Sequence, residues 1–170
     1  ENGELVREIR GHRNWVTSVC VTPDGNHVVS GSLDETVRIT RIQDGELVLV
    51  IGGHTHWDNS VCVTLDGKHV VSGSNDKTIH ITRIEDGELV REIKGHKWSV
   101  LSVCVTPDGK YIVSGSSDGT VRITGNPVYL EQLHFFKRVF GQMALKSNFC
   151  LEEFENYFRE NPGMFGFLGP

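Results

Sequence analysis

The sequence predicts an all-β protein built from repeated four-stranded units, and three observations carry that prediction. The phrase GELVREIRGH at 3–12 returns as GELVLVIGGH at 45–54 and as GELVREIKGH at 87–96. The first and third of these units agree at 28 of 39 positions, which marks duplication rather than coincidence. Within each unit, short runs rich in Val, Ile and Thr are separated by turn residues, the pattern of short strands joined by hairpins.

Taken in order, each unit opens with an extended, edge-type run, ELVREI at 4–9, followed by a polar loop that begins Gly-His. VTSVCVT at 16–22 is apolar on both faces, which suits an inner strand held between neighbours. Pro23-Asp24-Gly25 forms a tight turn, because proline presets its φ and glycine accepts a positive one. HVVSGS at 27–32 is the next strand, Leu33-Asp34-Glu35 closes a hairpin, and TVRIT at 36–40 is the last. The period of about 42 residues lies in the range of propeller blades rather than of helical solenoids. One such blade buries neither face alone, so it must stack on others.

The order of these residues carries a resemblance. Gly-His, then SVCVTPDG, then VVSGS, then Asp-x-TVRI at this spacing resembles the WD-repeat (beta-transducin-type) propeller family over residues 3 to about 125. That resemblance implies a hydrogen-bond network shared by a His, a Ser, a turn Asp and a Trp in each blade. The matching positions are His12, Ser30 and Asp34; His54, Ser72 and Asp76; and His96, Ser114 and Asp118. The sequence departs from the family at the Trp-Asp pair that names it, which reads Thr40-Arg41 and Thr82-Arg83, with Thr124 at the third Trp position. Trp would supply a large apolar plate and one N–H donor, whereas Thr is shorter but, being β-branched, keeps to a strand. The expected result is an intact blade with a shortened network.

Three blades fall short of the four to eight of natural propellers. Twelve strands are expected in all, with the first able to complete another blade. An open arc would leave two blade faces in water. The expected remedy is a homodimer closing a six-bladed ring head to tail, the N-terminal strand of each chain completing the last blade of the other. The other remedies are a longer array, of which this chain is a truncated part, and capping by another protein or by the C-terminal segment.

Bulk properties narrow the function classes. The 170 residues carry a net charge of −5, are 38% hydrophobic and 23% charged, and hold no basic cluster, so no nucleic-acid partner is expected. No apolar run reaches the ~18 residues of a membrane span, and the first residues lack a signal-peptide pattern, so no membrane association and a cytoplasmic location are expected. Cys20, Cys62 and Cys104 occupy one repeated phrase, SVCVT, and read as small buried hydrophobes in reduced form.

The repeat stops at Gly125-Asn126-Pro127, which divides the chain into three blades at 1–125 and a helical segment with an apolar tail at 126–170. Leu133, Phe136, Phe140 and Met143 have helical spacing, and a second helix is expected from about 147 to Glu160, giving a helical hairpin. FKRVFGQMALKSNFCLEEFENYF weakly resembles a degenerate EF-hand in which Phe149 and Glu153 keep their places. Its remaining ligand positions, Gln142, Ala144 and Lys146, are unsuited to calcium.

No metal or other cofactor is expected. His54 and His56 form the closest histidine pair but lack a third ligand, and no zinc spacing occurs. Ser30 with His12 and Asp34 superficially resembles a nucleophilic set, yet it recurs at the same place in every unit, whereas catalysis needs one cleft. A non-enzymatic protein-interaction scaffold or sensor is therefore expected. The alternative is a ligand-binding or hydrolytic propeller with a site in the central channel. Each Gly-His loop carries an aromatic, Trp15, Trp57 or Trp98, beside Arg13, His56 and Lys97, and these residues are the expected partner-binding set. Each Trp has a second reading: it folds over its own blade and fills the space left at Thr40, Thr82 or Thr124.

Overall fold

The structure, a computed structural model, describes residues 3–129. Up to Gly125 it is all-β, and residues 127–129 form a turn of helix. Strands β1 (Val16–Val21), β2 (His27–Ser32), β3 (Val37–Arg41) and β4 (Leu47–Ile51) form one antiparallel sheet in chain order. Strands β5 (Asp58–Val63), β6 (His69–Ser74), β7 (Ile79–Arg83) and β8 (Leu89–Ile93) form a second in the same way. The third contains β9 (Val100–Val105), β10 (Tyr111–Ser116) and β11 (Val121–Gly125), three strands instead of the expected four.

The difference lies in where a blade begins. The run ELVREI was expected to open each unit, but its copies β4 and β8 pair with the strand before them, β3 and β7. A blade therefore comprises three strands of one unit and the first strand of the next. Residues 4–9 pair with no strand among the described residues and form none, so eleven strands are described rather than twelve. Leu5 and Val6 are consequently 78% and 94% exposed.

Turn chemistry fixes each hairpin. The hydroxyl of Thr22 donates to Asp24 at 2.5 Å, and the same bond recurs as Thr64–Asp66 and Thr106–Asp108. At the β2–β3 and β6–β7 hairpins the chain enters the left-handed region, with φ of 65° at Glu35 and 75° at Lys77, where the third blade has Gly119. The repeat geometry continues to Asn126, whose N–H bonds the Lys110 carbonyl as those of Ile42 and Ile84 bond Asn26 and Lys68. Asn126 and Val128 are both buried against the third blade. The expected helical hairpin and EF-hand-like stretch at 130–170 lie outside the described residues.

The core consists of two inter-blade junctions. Val29, Val37, Ile39 and Ile51 of the first sheet pack on Val61 and Val70 of the second. Val71, Ile79 and Ile81 on the opposite face of the second sheet pack on Val100, Val103 and Ile112 of the third. At the centre of each junction stands a strand glycine. A Cβ on Gly31 would sit 2.9 Å from Val61 Cγ1, and one on Gly73 would sit 2.7 Å from Val100 Cγ1 and 2.9 Å from Val103 Cγ1. All three distances are below van der Waals contact, so the glycines set how closely blades approach. The backbone tie is also repeated: Val61 N–H donates to Ser18 Oγ and Val103 N–H to Ser60 Oγ, each at 3.1 Å.

Replacing Gly73 by Val should overpack the second junction and lower stability by about 1–3 kcal/mol. Chemical denaturation measures this; an unchanged midpoint would show that the blades do not meet at this glycine.

Candidate protein-interaction site

The Gly-His loops, which connect one blade to the next, are built on the three residues of each network. His12 Nδ1 lies 2.9 Å from Asp34 Oδ2, and its Nε2 lies 2.8 Å from Ser30 Oγ. The corresponding distances are 2.8 and 2.9 Å for His54 with Asp76 and Ser72. They are 3.0 and 2.9 Å for His96 with Asp118 and Ser114. An ionised carboxylate only accepts, so Nδ1 carries a proton and donates to Asp; in the neutral imidazole Nε2 then accepts the serine O–H.

Each aspartate is held further. Asp34 also accepts the Arg13 N–H at 2.8 Å and the Thr36 hydroxyl at 2.6 Å. Burial pushes its pKa up, but the bonds from Thr36, Arg13 and His12 outweigh that and hold it well below the ordinary range. Asp76 follows the same balance and comes down to about 2, with Thr78 and His54 as the leading donors. Asp118 is lowered chiefly by Thr120. Sequence reasoning did not include these threonines or the second serine of each SGS, although both recur in every unit. Ser32, Ser74 and Ser116 each accept the N–H of the turn Asp and donate to a loop carbonyl, that of Asn14, His56 or Trp98. The loop is thereby fastened to the β2–β3 type of hairpin at both ends.

On these fastened loops the aromatic side chains point to solvent. Trp15, Trp57 and Trp98 are 78%, 46% and 63% exposed, so they do not fold over their blades to replace the absent Trp. Arg13, His56 and Lys97 are exposed beside them. Trp98 stands one position earlier in its unit than the other two, at the place of Asn14 and His56. It meets the neighbouring blade, where Lys77 Nζ lies 5.9 Å from its ring centroid, within cation–π range. The Thr40 and Thr82 that stand in the Trp positions are buried at 4% and 3% exposure. Their partners Arg41 and Arg83 turn to the following hairpin and bond Asp44 and Glu46, or Asp86 and Glu88, at 2.6–2.8 Å. The Thr-Arg exchange thus closes a surface turn rather than extending the buried network.

The middle blade holds two residues that the others lack, and comparison of the units would have found both. His80 replaces Arg38 and Arg122, and its ring stacks on His54 with centroids 3.7 Å apart and planes 11° from parallel. Burial and the neighbouring His54 lower its pKa. Asp58 stands where the other units have Val16 and Val100, and it is 1% exposed with Oδ1 unbonded. Its nearest basic atom, His54 Nε2, is 3.6 Å away, beyond hydrogen-bond reach. Burial, then the charges of Asp76, Asp34 and Glu35, raise its pKa to about 7.

His54, Asp76 and His80 bring one ligand atom each within 4.8 Å of one another. Stacked rings direct their in-plane lone pairs along parallel lines, so a single ion cannot lie on both, and His54 Nδ1 is already given to Asp76. The arrangement does not suit a shared metal. Ser72 and Ser114 are bonded to histidine as a triad serine would be, but both are buried, which keeps their hydroxyls from a substrate. Cys20 and Cys62 are half-buried and free, and burial raises their thiol pKa values to about 11 and 12. Cys104 is exposed rather than buried, because its side of the third blade has no neighbour among the described residues.

Blades of this construction, with a His–Ser–Asp network in each Gly-His loop, define a WD-repeat protein. The chain belongs to that family: residues 3–40, 45–82 and 87–124 match the WD domain, G-beta repeat. Among curated proteins it is similar to "Nuclear distribution protein PAC1" of Candida albicans, with 47% identity over 34 residues, 20% of this chain and 7% of that protein. It is equally similar to "Pre-mRNA-splicing factor PRP46" of Yarrowia lipolytica, with 47% identity over 36 residues, 21% of this chain and 8% of that protein. The chain therefore matches less than a tenth of the length of these relatives. WD repeats generally mediate protein–protein interaction. Among the described residues no helix is long and apolar enough to cross a membrane.

Asp58 gives a pH-dependent prediction. Below about pH 4 its carboxyl is protonated folded and unfolded alike. Between there and about 7 the folded chain retains a proton that the unfolded chain releases, so this group lowers stability as pH rises and levels off above. The lowered aspartates act with the opposite sign but are common to both proteins compared. Asp58→Val should therefore stabilise by roughly 2–4 kcal/mol at pH 8 and by clearly less at pH 4, read from denaturant midpoints. An equal effect at both pH values would contradict the burial of an uncompensated carboxyl.

Proposed function

We propose that this chain is a non-enzymatic protein-interaction scaffold or sensor that presents its Gly-His loops to a protein partner. The observation that carries this reading is the exposure of Trp15, Trp57 and Trp98 on loops whose backbones are bonded to the adjacent hairpins. Trp is enriched among interface residues whose truncation costs most, and a fixed backbone reduces the ordering cost of binding. Arg13, His56 and Lys97 supply donors at the rim, with Lys97 held through its N–H to Asp118. The three cysteines among the described residues are free, which supports a reducing, cytoplasmic setting. The segment 126–170 is proposed to be a helical appendage to the blades.

A second observation supports a second reading, self-assembly. Both outer faces of the three-sheet stack expose apolar side chains, among them Val19 at 65% and Ile123 at 70%. We propose that two chains join head to tail in a six-bladed ring, within the four-to-eight-blade range of propellers.

Substituting Ala at Trp15, Trp57 and Trp98 together should change stability by under about 0.5 kcal/mol per site while abolishing partner capture in affinity pull-down. A large fall in melting temperature, or capture unchanged from the parent protein, would overturn the interaction reading.

A further inference from the structure

The two internal junctions act as a template for surfaces that the chain leaves open. The face that the first sheet would turn to a preceding blade holds Val16, Val19, Val21 and Ile42, at 51%, 65%, 53% and 39% exposure. Their counterparts one period later, Asp58, Val61, Val63 and Ile84, pack into the first internal junction. The opposite end repeats the pattern. Val121 and Ile123 of β11 are 72% and 70% exposed, whereas Val37, Ile39, Ile79 and Ile81 at the same positions are at most 2% exposed.

Between these end positions lies a third strand glycine. Gly31 and Gly73 are tightly faced by valines of the next blade, yet a Cβ on Gly115 would meet nothing within 4 Å among the described residues. Gly115 is thus a socket of the same shape without its plug. The valines that plug the sockets of Gly31 and Gly73 are Val61, Val100 and Val103, and the repeat positions they share are Val16 and Val19 at the other end of this chain.

We propose that the Gly115 face of one copy takes the Val16/Val19 face of a second copy, forming an inter-chain junction on the same pattern as the internal ones. This rests on the head-to-tail ring proposed above and names its seam. In that seam the Val19 N–H donates to Ser102 Oγ of the other copy, as Val61 does to Ser18 and Val103 to Ser60. Residues 4–9, a copy of the sequence that forms β8, lie along the open edge of β11 in the partner. The register of β3 with β4 places Ile9 opposite Val121 and Arg7 opposite Ile123. One internal tie does not carry over: Thr17 and Asn59 bond the carbonyls of Asp58 and Val100, but their counterpart is Leu101. The seam is therefore more apolar than the internal junctions.

Two substitutions at opposite ends of the full chain test this, with native mass spectrometry and sedimentation velocity as readouts. Gly115→Val fills the socket with a residue suited to a strand, and Val19→Asp places a charge on the plug. Val19 is exposed and a side chain at Gly115 meets nothing among the described residues, so each variant should keep its far-ultraviolet circular dichroism. The parent protein should be a dimer and each variant alone a monomer. An equimolar mixture should recover a dimer, because the Val19→Asp chain keeps an intact socket and the Gly115→Val chain an intact plug. Unfolded variants could not recover one. A parent dimer that either substitution leaves intact, or variants that do not complement, would overturn the seam but leave the ring reading standing. A monomeric parent would overturn both.

Discussion

Blade meets blade in this chain across a glycine, and the rest of the structure depends on that contact. Gly31 and Gly73 have no side chain, so Val61, Val100 and Val103 of the following blade seat directly on the strand backbone. The apolar residues around them then lose nearly all contact with water, from Val29 and Ile39 in one junction to Val71 and Ile81 in the other. Burial of such side chains is the main favourable contribution to folding. The serine-to-amide bonds that cross each junction add direction to it. A four-stranded sheet with two apolar faces has no stable existence alone, so stacking is both the fold and the source of its stability.

The polar network has a different task. Histidine, serine and aspartate do not fill the core; they tie a loop to a hairpin, with Thr36, Thr78 and Thr120 completing the shell around the carboxylate. The consequence for function is local order. Loops that carry exposed tryptophans would otherwise be mobile, and here their carbonyls and amides are bonded to the neighbouring turn. Loss of the Trp-Asp pair is compatible with this arrangement because the network holds the loop from the His side. Arginine at 41 and 83 serves instead as a clamp on an exposed turn, a position where ion pairs contribute little to stability.

Much of this was legible in the sequence because it is repeated. The period, the turn glycines and the Asp of each hairpin predict blades, and at the positions implied by the WD-repeat resemblance each His lies 2.8–3.0 Å from its Ser and its Asp in the structure. Strand ownership was only half legible: the outer-type run at the start could be seen to complete another blade, but it took pairing to show that every copy of ELVREI closes the sheet before it. The destination of the tryptophans was equally hidden, since an aromatic beside a vacant apolar position suits either solvent or core. Asp58 and His80 stand outside what a repeat reveals, because a period shows only what the units share. They are visible only where the middle unit differs from its neighbours, and there Asp58 puts a carboxyl where a valine would pack.

Amide hydrogen exchange, resolved by residue, tests the junction account most directly. The N–H groups of Val61 and Val103 face out of their own sheets, and each is bonded only to a serine hydroxyl of the adjacent blade. The account predicts that both exchange as slowly as amides inside the sheets, because stacked blades open only together. Val19 should join them at concentrations where chains assemble and exchange fast where they do not. Rapid exchange at Val61 and Val103 in the folded protein would contradict the claim that blade-on-blade packing holds this structure together.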